Sequence, residues 1–399
     1  MKRYRLARVL LAAVAALLVV ALVSGGALAA NPAEVDTELA AKLQLRLDRW
    51  RENRRAPGVV AAVRLPDGSR WIGTSGTKTV GRKAQNVQPG TPFAVASLTK
   101  TFMAALILQL REEGSLRMGD PLSKWLPNYP KAGKITIRML LGHRSGIYDY
   151  FSHPRYEKKV FGRPKHRWST REILKLSGPR YCRPGRCYRY SNTNYVLLGK
   201  IVRKVTGKTP ARNIRERFLE PLGLTDTFFQ GQEKIGKFSA KGYWARPGGY
   251  KGFSDGSLFR PNTSGATVAN AAGALVSSVR DVSDWQDALL GGEVLTPWSL
   301  KLMTAFQPAS GYGLGMRVAW LDGIKGLGHG GSLRGYVSIM YRLPEEDLDV
   351  VVLTNLGRTS VQGLADSLTR ITFKSLRPVE PEPGEPLLEL NLATRFAPR

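Results

Sequence analysis

Segments with the pattern of β-strands sit near the two ends of this chain, and a largely helical stretch separates them. Near the start, residues 59–64 form an apolar run, Pro66-Asp67-Gly68 supplies a turn, and residues 70–73 continue as a second strand, a hairpin signal. Late in the chain, residues 313–320, 333–342 and 348–354 alternate or run apolar, with Pro344-Glu345-Glu346-Asp347 as the turn between the last two. In between, residues 135–141, 170–176, 195–205, 212–218 and 278–290 are the clearest helical stretches. Further helices are expected at 38–54, at 98–113 (ended by Gly114) and at 360–373. The basic, glycine- and aromatic-rich residues 231–259 read as surface loops. Strands split in this way can close into one antiparallel sheet with the helical part beside it. The expected fold class is α/β (α+β): an antiparallel sheet flanked by helices plus a mostly helical subdomain, without internal repeats.

The first thirty residues do not belong to that fold. Lys2, Arg3, Arg5 and Arg8 make a basic start, an apolar run follows from residue 9 to 23, and Ala27-Leu28-Ala29 offers an A-x-A cleavage site. Residues 1–30 are therefore expected to be a signal peptide, with an uncleaved membrane anchor as the alternative, and residues 31–375 to be a single domain. The Pro- and Glu-rich residues 376–399 read as a disordered tail. The formal charge of +29 favours anionic surfaces such as those of the cell envelope. Nucleic acid is not the expected partner, because the leader exports the chain and its Lys and Arg are scattered. Cys182 and Cys187 flank a Pro184-Gly185 turn, and in an oxidising compartment they are expected to form a disulfide, with two free thiols as the alternative.

Three short motifs carry chemistry. Ser97-Leu98-Thr99-Lys100 is an S-x-x-K at a helix start, a spacing that puts both side chains on one face. A serine hydroxyl needs a base to take its proton, and Lys100 can serve only when neutral, a form that a helix N-terminus and burial both favour. Tyr190-Ser191-Asn192 offers a tyrosine that nearby positive charge would hold as phenolate, plus an amide donor for a substrate carbonyl. In His329-Gly330-Gly331-Ser332, placed just before the strand 333–342, two glycines allow close approach of a ligand to the backbone. Taken singly, each motif also has a plain structural reading: a helix cap, a Ser-Asn cap and a Gly-rich turn.

In this order the three motifs resemble those of the β-lactamase-related serine hydrolases, the superfamily of class C β-lactamases, penicillin-binding proteins and serine DD-peptidases. Residues 140–147, 195–199, 205–207, 221–227 and 272–277 add to the likeness, which extends over about 35–373. The resemblance implies that Ser97 is acylated and Lys100 shares its proton. It implies that Tyr190 is the base in acylation, protonates the leaving group and activates water for deacylation. It further implies that Asn192 orients the substrate amide, that His329 tunes Tyr190 and the substrate, and that the Ser97 and Ser332 N–H groups form an oxyanion hole. Relatives acting on D-alanyl peptides or β-lactams usually carry Thr or Ser in the middle of the third motif, where it binds the substrate carboxylate. Gly330 removes that hydroxyl, leaving Ser332 or Arg334 to compensate, Arg334 on the same side as Ser332 if strand alternation holds.

The expected enzyme is thus an exported D-alanyl-D-alanine carboxypeptidase-like serine hydrolase acting on cell-wall peptides. The alternatives are an esterase or amidase, a class C-like β-lactamase, and a penicillin or muropeptide sensor that acylates without turnover. Gly326, Gly328 and Gly331 match G-x-G-x-x-G, but strand rather than helix is expected to follow, against a dinucleotide site. The four histidines show no metal-ligand spacing, so neither metal nor cofactor is expected.

Overall fold

The computed structural model describes residues 33–235, 239–253 and 263–377. The expected leader (1–30), the expected tail from 378 onward and residues 236–238 and 254–259 of the expected loop region lie outside the described residues. The Asp36 carboxylate accepts from the N–H groups of Glu38 and Leu39 and starts helix α1 (Thr37–Arg54). The hairpin β1 (Gly58–Arg64) and β2 (Arg70–Gly76) follows. Strand β3 (Phe93–Ala94) leads through a 3₁₀ turn (Ala96–Leu98) into α2 (Thr99–Glu112). Next come α3 (Asn192–Thr206), β4 (Phe228–Phe229), the hairpin β5 (Gly242–Arg246) and β6 (Gly249–Phe253), β7 (Leu275–Ser277) and α4 (Val279–Leu290). The chain then forms β8 (Arg317–Leu321), β9 (Ile324–Leu333), β10 (Tyr336–Leu343), β11 (Leu348–Thr354) and α5 (Gln362–Leu376).

The early and late strands share one antiparallel sheet in the order β2-β1-β11-β10-β9-β8, as expected from the strand distribution. Strand β1 pairs with β11 from Val59 opposite Thr354 to Arg64 opposite Asp349. Both strands are covered on both faces, and this is why each reads as a continuous apolar run. Val59, Ala61, Val350 and Val352 pack with Leu43 and Leu47 of α1 and Leu364 and Leu368 of α5. Val60, Ala62, Val351 and Leu353 face the other way, into the core with Phe102, Met103 and Leu106 of α2 and Trp285 of α4. Helix α2 is buried from Thr99 to Leu108, the position of a helix that is apolar nearly all round. A smaller helical cluster, with Tyr150, Tyr156, Ile173 and Val196, packs beside it.

Two strand readings change. The apolar run 333–342 is not one strand: Arg334-Gly335 turns the chain between β9 and β10, so the third motif lies inside β9 rather than ahead of a strand. Gly335 has φ of +90° and backs onto the Gly242 main chain, where a Cβ would meet a carbon at 2.7 Å. The region 231–259 also contains the β5–β6 hairpin, which docks on the sheet through Tyr243 N–H to the Asn355 carbonyl (2.9 Å). Residues 313–316 precede β8 instead of belonging to it. Gly315, with φ of +77°, lies against the Lys100 carbonyl, where a Cβ would sit 2.8 Å away.

Candidate active site

Ser97 is held at the junction of two structures. Strand β3 pairs with β7, the Val95 N–H donates to the Leu275 carbonyl (3.1 Å), and Ala96 turns the chain with φ of +52°. A left-handed residue that is not glycine costs of order 1–3 kcal/mol and persists only where its surroundings impose it. The turn leaves Ser97 partly exposed, and one turn later Lys100 is fully buried.

Lys100 Nζ lies 2.9 Å from Ser97 Oγ, 2.9 Å from Asn192 Oδ1 and 2.6 Å from the Ala272 carbonyl. Burial pushes the ammonium down to about 7, and Asp149 nearby pulls weakly the other way. Near neutral pH much of Lys100 is therefore an amine. Asn192 Oδ1 and the Ala272 carbonyl can only accept, so they take its two N–H groups. The lone pair is left facing Ser97 Oγ, where it can receive the serine proton.

The Tyr190 hydroxyl lies 3.0 Å from Ser97 Oγ. The expectation of a resting phenolate is overturned: burial raises the Tyr190 phenol well above its ordinary value, and Arg317, the cation acting on it, is the smaller influence. A neutral Lys100 supplies no charge to hold a phenolate. Tyr190 is a phenol that donates to Ser97 Oγ while Ser97 Oγ–H points to Lys100.

Asn192, expected to orient the substrate amide, is also tied to Asp149. Its Nδ2 donates to Asp149 Oδ1 (3.3 Å) and Oδ2 (3.1 Å), and its backbone N–H donates to Oδ1 (3.0 Å). One N–H of the amide serves both Asp149 oxygens and the amide oxygen takes Lys100, so Asn192 positions the lysine and its second N–H is not engaged by Asp149. Asp149 was not singled out from the sequence, because a carboxylate in Tyr148-Asp149-Tyr150 carries no motif of its own. His143 and Tyr312 were missed as site residues too. His143 lies in one stretch of the family likeness, and its ring is 4.1 Å from that of Tyr190.

In the third motif, Gly331 packs on the serine turn, where a Cβ would meet the Val95 carbonyl oxygen at 2.4 Å and Ser338 Oγ at 2.3 Å. Gly330 faces the opposite side, with nothing closer than 3.5 Å to its Cβ position. Ser332 is exposed. Strand β8 pairs with β9 only as far as Gly328, so among the described residues the edge from His329 to Ser332 has no strand partner on that side. His329 is buried beside Tyr312, and burial lowers it to about 3, so it is neutral and reaches Tyr190 by ring packing (6.3 Å between centroids). Substrate contact is thereby taken from His329. Arg334 is likewise corrected: it sits in the β9–β10 turn, outside strand alternation, paired with Glu157 at 2.5 Å and stacked on Phe161 and Trp244. An exposed cation nearer the chemistry is Arg317, whose charge acts on Tyr188, Tyr190 and His329 and which has no ion pair among the described residues.

Cys182 and Cys187 are disulfide-bonded. Their loop is docked by Gly185 N–H to the Arg144 carbonyl (2.8 Å), and Arg189 N–H donates to the His143 carbonyl (2.9 Å), so the segment leading to Tyr190 is anchored on residues 143–144. Among the described residues no group of His, Cys, Asp and Glu could hold a metal ion.

The Beta-lactamase family model matches residues 38–370. The unguisins hydrolase of Aspergillus campestris is 28% identical over 357 residues, 82% of this chain and 62% of that protein. The teichoic acid D-alanine hydrolase of Staphylococcus aureus is 31% identical over 176 residues, 44% of this chain and 40% of that protein. The chain thus spans less than two thirds of the length of these curated relatives. Among solved structures, the D-amino acid amidase of Ochrobactrum anthropi SV3 superposes with a TM-score of 0.74 at 28% identity, over 85% of this chain and 99% of that one.

Proposed function

The chain belongs to the Beta-lactamase family, and from that premise we propose that it hydrolyses amide or ester bonds at the carbonyl of D-amino acid residues through a Ser97 acyl-enzyme. The observation that carries the chemistry is the hydrogen-bonded chain from Tyr190 to Ser97 to the lone pair of Lys100. The D-aminoacyl preference is supported by the names of relatives, a D-amino acid amidase and a teichoic acid D-alanine hydrolase.

In acylation Ser97 Oγ bonds to the substrate carbonyl carbon and its proton moves to Lys100. The bond to the leaving group breaks, and the leaving group takes the Tyr190 proton. The phenolate so formed stands beside a now cationic Lys100, which stabilises it. It then takes a proton from water, the hydroxide adds to the acyl carbon, and Ser97 leaves with the proton from Lys100, restoring the resting state. The N–H groups of Ser97 and Ser332 are assigned as the oxyanion donors. Such donors stabilise the developing charge and are often the largest catalytic contribution.

A D-alanyl-D-alanine carboxypeptidase is the second reading. With Arg334 spent on Glu157, it is Arg317 that favours it, as an exposed guanidinium able to pair with a free C-terminal carboxylate. We place the enzyme outside the cytoplasm, on the cell envelope. The leader pattern, the high positive charge and the Cys182–Cys187 disulfide support this.

The test is a hydrolysis panel: a D-amino acid amide and its L isomer, a D-alanyl-D-alanine peptide and its C-terminal amide, a short-chain ester and a chromogenic cephalosporin. Cleavage of the D amide with little of the L isomer is expected. A strict need for the free carboxylate, lost in Arg317→Ala, would establish the carboxypeptidase. Turnover of the cephalosporin alone would indicate a β-lactamase, and a stable adduct without turnover a sensor.

A further inference from the structure

Two buried histidines lie beneath the site, His143 behind the Tyr190 motif and His329 opening the third motif, and the buried Tyr312 hydroxyl lies between them. It is 3.2 Å from His143 Nε2 and 3.0 Å from His329 Nε2. All three side chains are at most 3% exposed. Neighbouring groups fix where the protons sit.

His143 Nδ1 faces two donors, the backbone N–H of Ser191 (3.1 Å) and Asn194 Nδ2 (3.3 Å). The orientation of the Asn194 amide follows from its oxygen, which accepts from Ser145 Oγ at 2.6 Å. His143 Nδ1 must therefore be bare, and its proton sits on Nε2, aimed at the Tyr312 oxygen. Tyr312 accepts that proton contact and directs its own O–H to His329 Nε2. The Tyr195 hydroxyl beside it donates to the Leu141 carbonyl (3.0 Å). The Gly330 carbonyl, 2.6 Å from His329 Nδ1, can only accept, so the His329 proton resides on Nδ1 and Nε2 is left as the acceptor for the Tyr312 O–H. The directed chain starts at the residue after Tyr190 and ends on the β9 edge next to Ser332.

We propose that Tyr312 is a positioning residue for the hydrolase reaction: by bridging His143 and His329 in opposite tautomers, it locks the Tyr190 segment and the Gly330–Ser332 edge into one catalytic geometry. Without the hydroxyl, a buried N–H and a buried ring nitrogen lose their partners together, and each can be recovered only by moving one segment relative to the other. The acid–base tyrosine and the strand edge that would receive the carbonyl oxygen would then shift apart. Misplacement by about 1 Å is enough to cost roughly 10²-fold in rate.

The inference rests on Ser97 chemistry, so its first test needs no turnover. The chain has four histidines, and long-range proton–nitrogen correlation on the ¹⁵N-histidine-labelled protein resolves each tautomer. His143 as Nε2–H and His329 as Nδ1–H is the expected result. The same tautomer in both, or a protonated ring in either near neutral pH, overturns the bridge whether or not the protein is active. In Tyr312→Phe, kcat should fall about 10²-fold with KM nearly unchanged, and at least one histidine should lose its single tautomer. Unchanged kcat in a variant whose histidines have lost their tautomers would overturn the positioning role. If Tyr312→Phe does not fold, Tyr312→His, which can still accept from one ring and donate to the other, should retain more activity than Tyr312→Leu. Equal loss in these two would also count against the role.

Discussion

Lys100 contributes to catalysis only while it is an amine, so its burial sets the direction of the pH response. The lysine is pushed down to about 7. Protonation below that value removes the lone pair, so kcat/KM should rise with pH along a limb centred near 7. A limb that falls over the same range would rule out the amine as base. Asp149 holds Lys100 slightly upward, so Asp149→Asn should move the limb to lower pH, and an upward shift would contradict the arrangement. Tyr190→Phe keeps the ring against His143 and removes the hydroxyl beside Ser97. It should lower kcat by about 10²–10⁴-fold with little change in the thermal midpoint, and near-normal turnover would leave the whole proton traffic to Lys100. At this scale the sequence made Ser97, Lys100 and Tyr190 legible through spacing and order. It did not reveal that Asn192 faces Asp149, because that contact joins residues far apart in the chain and neither neighbourhood announces it. The phenolate reading of Tyr190 went wrong for a related reason: motif spacing shows a nearby lysine but not that burial has discharged it.

The segments that carry these residues are fixed by close packing. Gly331 lets β9 lie on the serine turn, and Gly330 has room on its own side. Gly331→Ala should therefore push the strand off Val95 and cut kcat/KM by about 10²-fold, while Gly330→Ala should be nearly silent. Equal effects in the two variants would show that the contact does not matter. The disulfide loop offers a second test. It closes over few residues, so removing it with Cys182→Ser and Cys187→Ser should change global stability little, because the entropic gain from a crosslink grows with loop length. Activity should suffer more, since the loop anchors the segment leading to Tyr190. A fall in the thermal midpoint with unchanged kcat would reverse this assignment. Element by element, the early hairpin, β11 and the long helices were readable from periodicity. The β9–β10 turn was not, because Leu333-Arg334-Gly335-Tyr336 interrupts the apolar pattern by only two residues. The β5–β6 hairpin was hidden by its charge and glycine content, since its stability comes from docking at the end of the interior strand β11, on Asn355 and Gly357.

Across the whole molecule, the sheet is joined to α4 by a buried charge cluster. Arg342 donates to Asp349 at 2.8 and 3.0 Å and to Asp287 at 2.8 Å, and Gln286 adds a donor to Asp349, which is 1% exposed. Arg342→Met leaves that carboxylate without its hydrogen-bonded arginine, with only the more distant charge of Arg64 beside it, and should cost about 3–5 kcal/mol, read from urea unfolding. Burial already raises the Asp349 carboxyl, and Arg342 lowers it. Losing the arginine raises it further, so the native variant can bind a proton that the unfolded chain releases. The deficit should therefore shrink as pH falls toward 5 and grow as it rises. A deficit independent of pH would place the loss in packing alone.

The pairing of β1 with β11 has a consequence in time. As the chain emerges during synthesis, Ser97, Lys100 and Tyr190 are all made before the strand that supplies Ser332, and β1 must wait for a partner nearly three hundred residues away. Contacts of such long sequence separation form slowly, because the intervening chain gives up its freedom before the pairing stabilises it. A chain stopped short of Leu348 would hold the nucleophile and both proton carriers but no partner for the bare edges of β1 and β10. It should be unable to take up an acyl group. Acylation by a mechanism-based label would then mark molecules whose two ends have met, and its appearance after synthesis would clock the final step of folding.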